Sequence, residues 1–261
     1  MRQQIHKILL LLTLSLCTHI CSAARPNENI KHAYSFPQPW GLSVDGYRIN
    51  QSYDIEQLTL AISNTNLDPT NINAENSTQF IGLKLDRWIL PFLNIFAIIG
   101  DIDGTTEVGL SQIQLPGIPL SLGQTEINYD GELFGGGFTL TIGAKKWFAS
   151  FTTTFSETNL SGSFQSSINT MTLQPKIGLS RKNINFWIGA TYLLADESHQ
   201  GFINIPGSGL PEIPFEVELS NEDEINYGAG MKVSLKDTFD IIAEFGTGGR
   251  GHQSLSLVWR F

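Results

Sequence analysis

The sequence predicts an all-β protein: an antiparallel, up-and-down transmembrane β-barrel of about ten strands, with about eight or twelve as alternatives. Three observations lead to this prediction. Apolar and polar residues alternate along most of the chain, short and long connections alternate between the strands, and aromatic residues gather beside the short connections. Alternation with a period of two is typical of strands, because successive side chains point to opposite faces of a sheet.

The first 24 residues stand apart from this pattern and predict a cleaved secretory signal peptide. Arg2 and Lys7 precede an apolar run over residues 8–16, and small residues over 21–24 offer a cleavage site. The run is too short to span a bilayer as a helix, which takes about 20 residues. Cleavage removes Cys17 and Cys21, so the mature chain is expected to fold without a disulfide or a thiolate metal site.

The mature chain is acidic and weakly charged for its length. Removing residues 1–24 leaves 14 Lys and Arg against 25 Asp and Glu, a net charge of −11. A nucleic-acid partner calls for a basic face, so this balance excludes one. The longest apolar stretch, residues 88–100, is interrupted by Pro91 and Asn94 and is shorter than a helical membrane span.

Ten alternating segments are predicted as strands: 54–62, 78–89, 93–110, 125–143, 147–160, 167–180, 184–203, 218–235, 239–247 and 251–261. Tight turns near Pro91, Lys145, Arg181 and Lys236 alternate with longer connections over 63–77, 111–124, 161–166 and 204–217, and a short glycine-rich connection over 247–251 joins the last two. An up-and-down barrel needs this alternation, and an even strand number places both chain ends on one side. The predicted organisation is a signal peptide (1–24), an irregular N-terminal segment that is either a periplasmic arm or inserted into the lumen (25–52), and the barrel (53–261).

Alternation alone does not say which face meets water. In a soluble sandwich the apolar face is buried, whereas in a membrane barrel it contacts lipid and the polar face lines the interior. Aromatic side chains that lie at the same height along the strands favour the barrel, because such side chains concentrate at bilayer interfaces. The predicted girdle beside the short turns consists of Trp88, Phe92, Trp147, Phe148, Phe186 and Trp259.

Placing the apolar rows outward turns a set of charged residues toward the lumen. These are Lys84, Asp86, Lys176, Lys232, Asp240, Glu244 and Arg260. A ten-stranded barrel has a narrow interior that side chains can fill. Charges there must pair or reach water, because an isolated buried charge is very costly. Two interpretations stay open: a salt-bridged plug, or a narrow gated conduit whose charges select ions.

The last strand carries a more specific pattern. Leu255, Leu257, Trp259 and the terminal Phe261 fall at every second position. This ending resembles that of Gram-negative outer-membrane β-barrel proteins. The resemblance implies residence among outer-membrane lipids with both termini in the periplasm, and it implies that the barrel-assembly machinery reads these four residues as an assembly signal.

The resemblance leaves function open, because one fold hosts many functions. The connections 111–124 and 204–217 are rich in Leu, Ile and Pro beside acidic residues, and exposed apolar surface often marks a contact site. We therefore expect a structural or surface-interaction protein that meets an extracellular partner through these connections. A narrow cation-preferring channel is the first alternative.

A hydrolase with a site at the barrel rim is the second alternative, and it would have to use His199 and His252. The chain has no G-x-S-x-G sequence and no metal-ligand spacing of His or Cys. We expect no enzymatic activity, no cofactor and no metal.

Overall fold

A computed structural model describes residues 38–60, 65–67, 73–109, 124–162, 164–203, 213–221, 225–236 and 238–261. The predicted signal peptide lies outside these residues. Within them, no helix is long and apolar enough to cross a membrane. The strands are β1 (Trp40–Leu60), β2 (Thr65–Leu67), β3 (Asn73–Leu90), β4 (Leu93–Gly109), β5 (Gln124–Gly143), β6 (Trp147–Gly162), β7 (Phe164–Arg181), β8 (Ile184–Ile203), β9 (Ile213–Asn221), β10 (Ile225–Leu235), β11 (Phe239–Gly248) and β12 (Arg250–Arg260).

The strands close into an antiparallel barrel. Around the wall, β1 is followed by β3 to β8 and then by β10, β11 and β12. The pairing of β12 with β1, over Gly41–Gln51 and Arg250–Arg260, completes the circle. The predicted fold, an up-and-down barrel of ten strands, is confirmed.

The wall does not keep ten strands over its whole height. Strand β9 precedes β10 along the same descending course, and it pairs with the far end of β8 and with the far end of β1. The β11–β12 hairpin stops below this point, with its tip at Gly248–Arg250. The barrel therefore has ten strands near the short turns and eight strands (β1 and β3 to β9) toward the long connections.

Four boundary predictions were wrong. Residues 65–67 and 73–77 of the connection expected over 63–77 lie in β2 and β3, and residues 161–162 and 164–166 of the connection expected over 161–166 lie in β6 and β7. The first strand was expected over 54–62 after an irregular segment 25–52, but β1 begins at Trp40, directly after Pro39. Of the connection expected over 204–217, residues 213–217 lie in β9, and the strand expected over 218–235 is divided into β9 and β10. Long-range pairing orders the start of β1 and the whole of β9, and local pattern does not reveal it. Residues 40–53 of β1 pair with β12 and β3, whereas β9 pairs with β1 and β8.

The exterior of the barrel is apolar and its interior is polar. Leu179 and Ile188 are each 65% exposed, whereas Ser43 and Asp86 are 1% and 4% exposed. A soluble sandwich would show the opposite distribution. This inversion indicates that the outer face is solvated by lipid.

The outward apolar residues form a belt with a definite upper edge. On β5, the outward row runs from Ile142 to Phe134 and then changes to Glu132 and Asp130. Nine residues extend about 30 Å along a strand, or about 23 Å along the barrel axis at a tilt of about 40°, close to the ~25 Å apolar band of such barrels. Beyond the belt the eight strands continue as a tube, which we call the projecting tube.

A single substitution tests the belt. Leu85→Arg places a cation on the outward face of β3 near the middle of the belt, and we expect it to lower the free energy of unfolding by about 2–4 kcal/mol. Gln79→Arg lies on the same face of β3 beyond the belt and opposite Asp103, so it should cost less than about 1 kcal/mol. Urea unfolding in phospholipid vesicles measures both, and equal costs would contradict the assignment of the belt.

Candidate functional site

The lumen is the candidate site, because the chain's buried charges converge there. All seven charged residues predicted to face inward do so, and Asp45 on β1 and Arg250 on β12 face inward as well. Apart from Arg250, these side chains form three clusters, each built from strands that lie side by side in the wall.

The first cluster joins the last strand to the first part of the chain. Asp86 on β3 accepts hydrogen bonds from Nη1 of Arg260 and from Nδ2 of Asn94, each at 2.6 Å. The side chains of Asp86 and Arg260 are 4% and 14% exposed, so the pair is largely shielded from water. Gly41 on β1 separates the two strands, and any side chain there would collide with both partners. Gly41 thus lets β12 bond to β3 directly across β1.

The same cluster continues along the wall. Nε of Arg260 lies 3.8 Å from Oδ2 of Asp240 on β11, and Nζ of Lys232 on β10 lies 3.6 Å from the same oxygen. The hydroxyl of Ser234 donates to Oδ1 of Asp240 at 2.5 Å. Cations and carboxylates therefore alternate across five neighbouring strands, from β3 to β10.

The second cluster surrounds Glu244 on β11. Its Oε2 accepts hydrogen bonds from Nζ of Lys176 (2.5 Å) and from the indole nitrogen of Trp187 (2.8 Å). Its Oε1 lies 3.6 Å from Nε2 of His252, whose Nδ1 accepts from the amide of Asn226 at 2.6 Å. Both ring nitrogens of His252 are therefore engaged by neighbours.

The ring of Trp187 lies across a glycine in this cluster. Gly230 on β10 faces Trp187 on β8, and any side chain at Gly230 would collide with the indole. The flat ring reaches Glu244 over this gap, and the ammonium of Lys176 lies 5.5 Å from the ring centroid. Because Gly230 has no side chain, side chains from β7, β8 and β11 can bond to one another across β10.

The third cluster is smaller and wetter. Nζ of Lys84 on β3 lies 3.3 Å from Oδ2 of Asp45, which also accepts from the hydroxyl of Ser43 at 3.1 Å. The ammonium lies 5.9 Å from the ring centroid of Phe96. Together the three clusters hold four cations and four carboxylates, so the charges of these eight residues cancel.

Toward the projecting tube the lumen becomes hydroxyl-rich and aromatic. The amide of Asn76 donates to Thr106 (2.9 Å) and to the hydroxyl of Tyr129 (2.6 Å), and Thr78 donates to Asn76 (2.6 Å). Tyr47 and Phe80 stack with ring centroids 4.8 Å apart. Sequence reasoning missed this layer, although extending the inward parity of Lys84 and Asp86 along β3 would have reached Phe80, Thr78 and Asn76.

The predicted girdle divides between the two faces. Phe92, Trp147, Phe186 and Trp259 point outward and are about half exposed. Trp88 shares the inward row of Asp86, and Phe148 faces inward, where it packs edge-on against Trp187 at 6.5 Å. Those two positions were predicted wrongly, because Trp147 and Phe148 are consecutive and consecutive strand residues cannot share a face.

The remaining predicted residues have simpler placements. The four residues of the C-terminal pattern, Leu255, Leu257, Trp259 and Phe261, are outward and exposed. The side chain of His199, residues 111–123 and residues 204–212 lie outside what the structure describes. Among the residues that it does describe, no three His, Cys, Asp or Glu side chains are grouped as metal ligands.

A closed sheet with lipid-facing apolar rows and paired charges inside decides the class of protein. The chain is a transmembrane β-barrel. No protein-family model matches its sequence, and no curated protein matches it as a relative.

Three solved structures illustrate what the barrel is similar to. The outer membrane protein OprG from Pseudomonas aeruginosa matches with a TM-score of 0.48 at 9% identity, over 87% of this chain and 99% of that one. The outer membrane protease OmpT from Escherichia coli matches with a TM-score of 0.46 at 9% identity, over 88% and 99%. The β domain of the Bordetella autotransporter BrkA matches with a TM-score of 0.44 at 9% identity, over 87% and 100%.

A double-mutant cycle tests the first cluster. Asp86→Ala leaves the guanidinium of Arg260 buried without its closest partner, so we expect a loss of about 3–5 kcal/mol in the free energy of unfolding. Adding Arg260→Ala should recover part of that loss, which gives a coupling of more than about 1 kcal/mol. The wetter pair of Lys84 and Asp45 is the matched control, with an expected coupling below about 1 kcal/mol. Additive losses at Asp86 and Arg260 would show that the pair does not join β12 to β3.

Proposed function

We propose that this outer-membrane barrel is a structural and surface-contact protein with a lumen closed by its own side chains. The proposal rests above all on the projecting tube, which continues the sheet beyond the apolar belt and presents an acidic outer surface. Short turns at Pro91, Lys145, Lys182 and Lys236 face the periplasm together with both chain ends in this proposal, because barrels of this class keep their short turns there. The projecting tube then faces the cell exterior.

The side chains that reach over neighbouring strands inside the lumen support its closure. Lys176 reaches from β7 to Glu244 on β11 over two intervening strands, and Arg260 reaches from β12 to Asp86 over β1. Ion pairs of this kind hold their side chains in place, because separating them would leave a charge in a poorly hydrated space. The stacked rings of Tyr47 and Phe80 occupy the next level toward the projecting tube.

The outer surface of the projecting tube supports a role in contact. Four carboxylate pairs lie directly opposite each other on neighbouring strands: Glu75 with Glu107, Glu107 with Glu126, Asp103 with Asp130, and Asp101 with Glu132. Like charges in directly opposed positions destabilise a sheet. A cationic partner would relieve this repulsion, so we propose that the partner presents a basic surface. The connections 111–124 and 204–217, at the same end, stay part of this proposal.

We also propose that the barrel works by contact and not by catalysis. His252 faces the lumen, where the amide of Asn226 and the carboxylate of Glu244 are the neighbours of its ring nitrogens. A general base must instead offer a nitrogen to the proton that it abstracts.

A specific observation favours one other function, a narrow channel. The side chains of Lys84 and Lys232 keep 27% and 31% of their exposure inside the lumen, so water reaches both. A hydrated file beside these residues would conduct small ions, with a cation preference set by the acidic outer end.

Conductance in planar bilayers separates the two functions. We expect the wild-type protein to give no discrete current steps, because ion pairs and rings fill the lumen. Lys176→Ala combined with Glu244→Ala removes an ion pair from the lumen and should produce discrete current steps. The variant Gln79→Ala, on the outward face, should give no current steps. Cation-selective current steps from the wild-type protein would contradict a closed lumen and support the channel function.

Binding of a basic probe tests the contact role. The barrel in phosphatidylcholine nanodiscs should bind poly-lysine, and binding should weaken by roughly tenfold when Asp101, Asp103 and Asp130 are changed to Asn and Glu132 to Gln. Lys145→Gln with Lys146→Gln alters charge at the opposite end and should leave the affinity unchanged. Salt titration by biolayer interferometry adds a second readout, since exposed charge pairs are screened. Undiminished binding by the quadruple variant would contradict the role of the projecting tube.

A further inference from the structure

The lipid-facing wall is not uniform, and one part of it is hollowed. A groove of about 740 Å³ crosses β7, β8, β10 and β11. The register aligns its outward side chains in two rows, Ile177–Ile188–Ala229–Phe245 and Ala190–Tyr227–Thr247, and Pro175 lines the groove at its β7 margin. We propose that this groove binds one acyl chain of a bilayer lipid, with the polar end of the lipid toward the projecting tube.

Side-chain size creates the hollow. Ala190 and Ala229 stand beside Ile188, Tyr227 and Phe245, which are 62–65% exposed and rise above the wall. The backbone at Gly189, Gly228 and Gly246 completes the floor. On β4 and β5, by comparison, the large residues Ile95 and Phe138 lie side by side, and the small pair of Ala97 and Gly136 spans only two strands.

The backbone opens at the same place, which is a separate observation. Along β7 and β8 the pairing passes from Leu173 with Tyr192 to Lys176 with Gly189, and it skips Gln174 and Pro175. Proline has no N–H to donate, so it interrupts the ladder there. The interruption lies at one margin of the groove and lets the wall depart from a regular surface.

The chemistry of the lining selects the occupant. The outward side chains of the groove are apolar except at the end toward the projecting tube, where Tyr227 and Thr247 carry hydroxyl groups. A lipid has the same division between a hydrocarbon chain and a polar end. The groove is also continuous with the belt, so the bilayer delivers the occupant directly.

Packing, and not the hydrophobic effect, would hold the lipid. Hydrocarbon on either side of the boundary is equally apolar, so the gain comes from van der Waals contact. A chain in the groove touches protein on its floor and both flanks, whereas a chain on a smooth wall touches it on one side. A second barrel fits less well, because its broad wall would rest on Ile188 and Phe245 and leave the floor empty.

Filling the groove tests the proposal. The wild-type barrel is extracted from phosphatidylcholine vesicles in a mild detergent, and native mass spectrometry measures the mass of the intact protein with any bound lipid. We expect a retained lipid on the wild-type protein, and at least roughly fivefold less of it on Ala229→Leu, which occupies the floor. Ala97→Leu adds the same side chain to the belt on β4, outside the groove, and should retain lipid as the wild type does.

The outcomes that overturn the proposal are distinct. Retention that is equal in Ala229→Leu and Ala97→Leu, or absent from the wild-type protein, would show that the groove binds no particular lipid. A dimer that Ala229→Leu disrupts would identify a second barrel as the occupant instead. Both variants keep an apolar residue on the lipid side, so heat-modifiable migration should verify that they fold. None of these results depends on whether the lumen is closed or on the partner of the projecting tube.

Discussion

Hydrogen bonding of the backbone is the constraint on which this structure depends. In hydrocarbon no water satisfies an unpaired N–H or C=O, so a sheet can cross a bilayer only if its two edges meet. The pairing of β1 with β12 makes that closure. Because side chains alternate across the sheet, closure also divides the chain into lipid-facing and lumen-facing halves, and every other feature of the barrel follows from this division.

The lumen shows how the barrel accommodates the charges that closure places inside. Arg260 and Lys176 each find a carboxylate on a strand that is not hydrogen-bonded to their own. Glycines make these reaches feasible: Gly41 and Gly230 leave room where a side chain from an intervening strand would otherwise stand. The ion pairs thus add lateral links between strands that the ladder of backbone bonds does not join.

Local pattern was sufficient for the fold and for seven of the lumenal charges, because a single residue of known direction fixes the parity of a whole strand, but it missed Asp45 and Arg250. It failed at β1, where Gly46, Arg48 and Asn50 face outward beyond the belt and the alternation of apolar and polar residues disappears. It failed again at β9, since only distant partners on β1 and β8 decide that this segment is a strand. The girdle prediction was wrong at Trp88 and Phe148, because it relied on their proximity to a turn and not on the face of the strand to which they point.

The change from ten strands to eight has a geometric consequence. The circumference of a barrel follows its strand number, so the loss of two strands at the tip of the β11–β12 hairpin reduces the cross-sectional area by about a third. The tip follows Phe245 and Thr247, where the outward row of β11 changes from apolar to polar. The narrower section of the wall therefore lies beyond the apolar belt, and the belt surrounds the wider section.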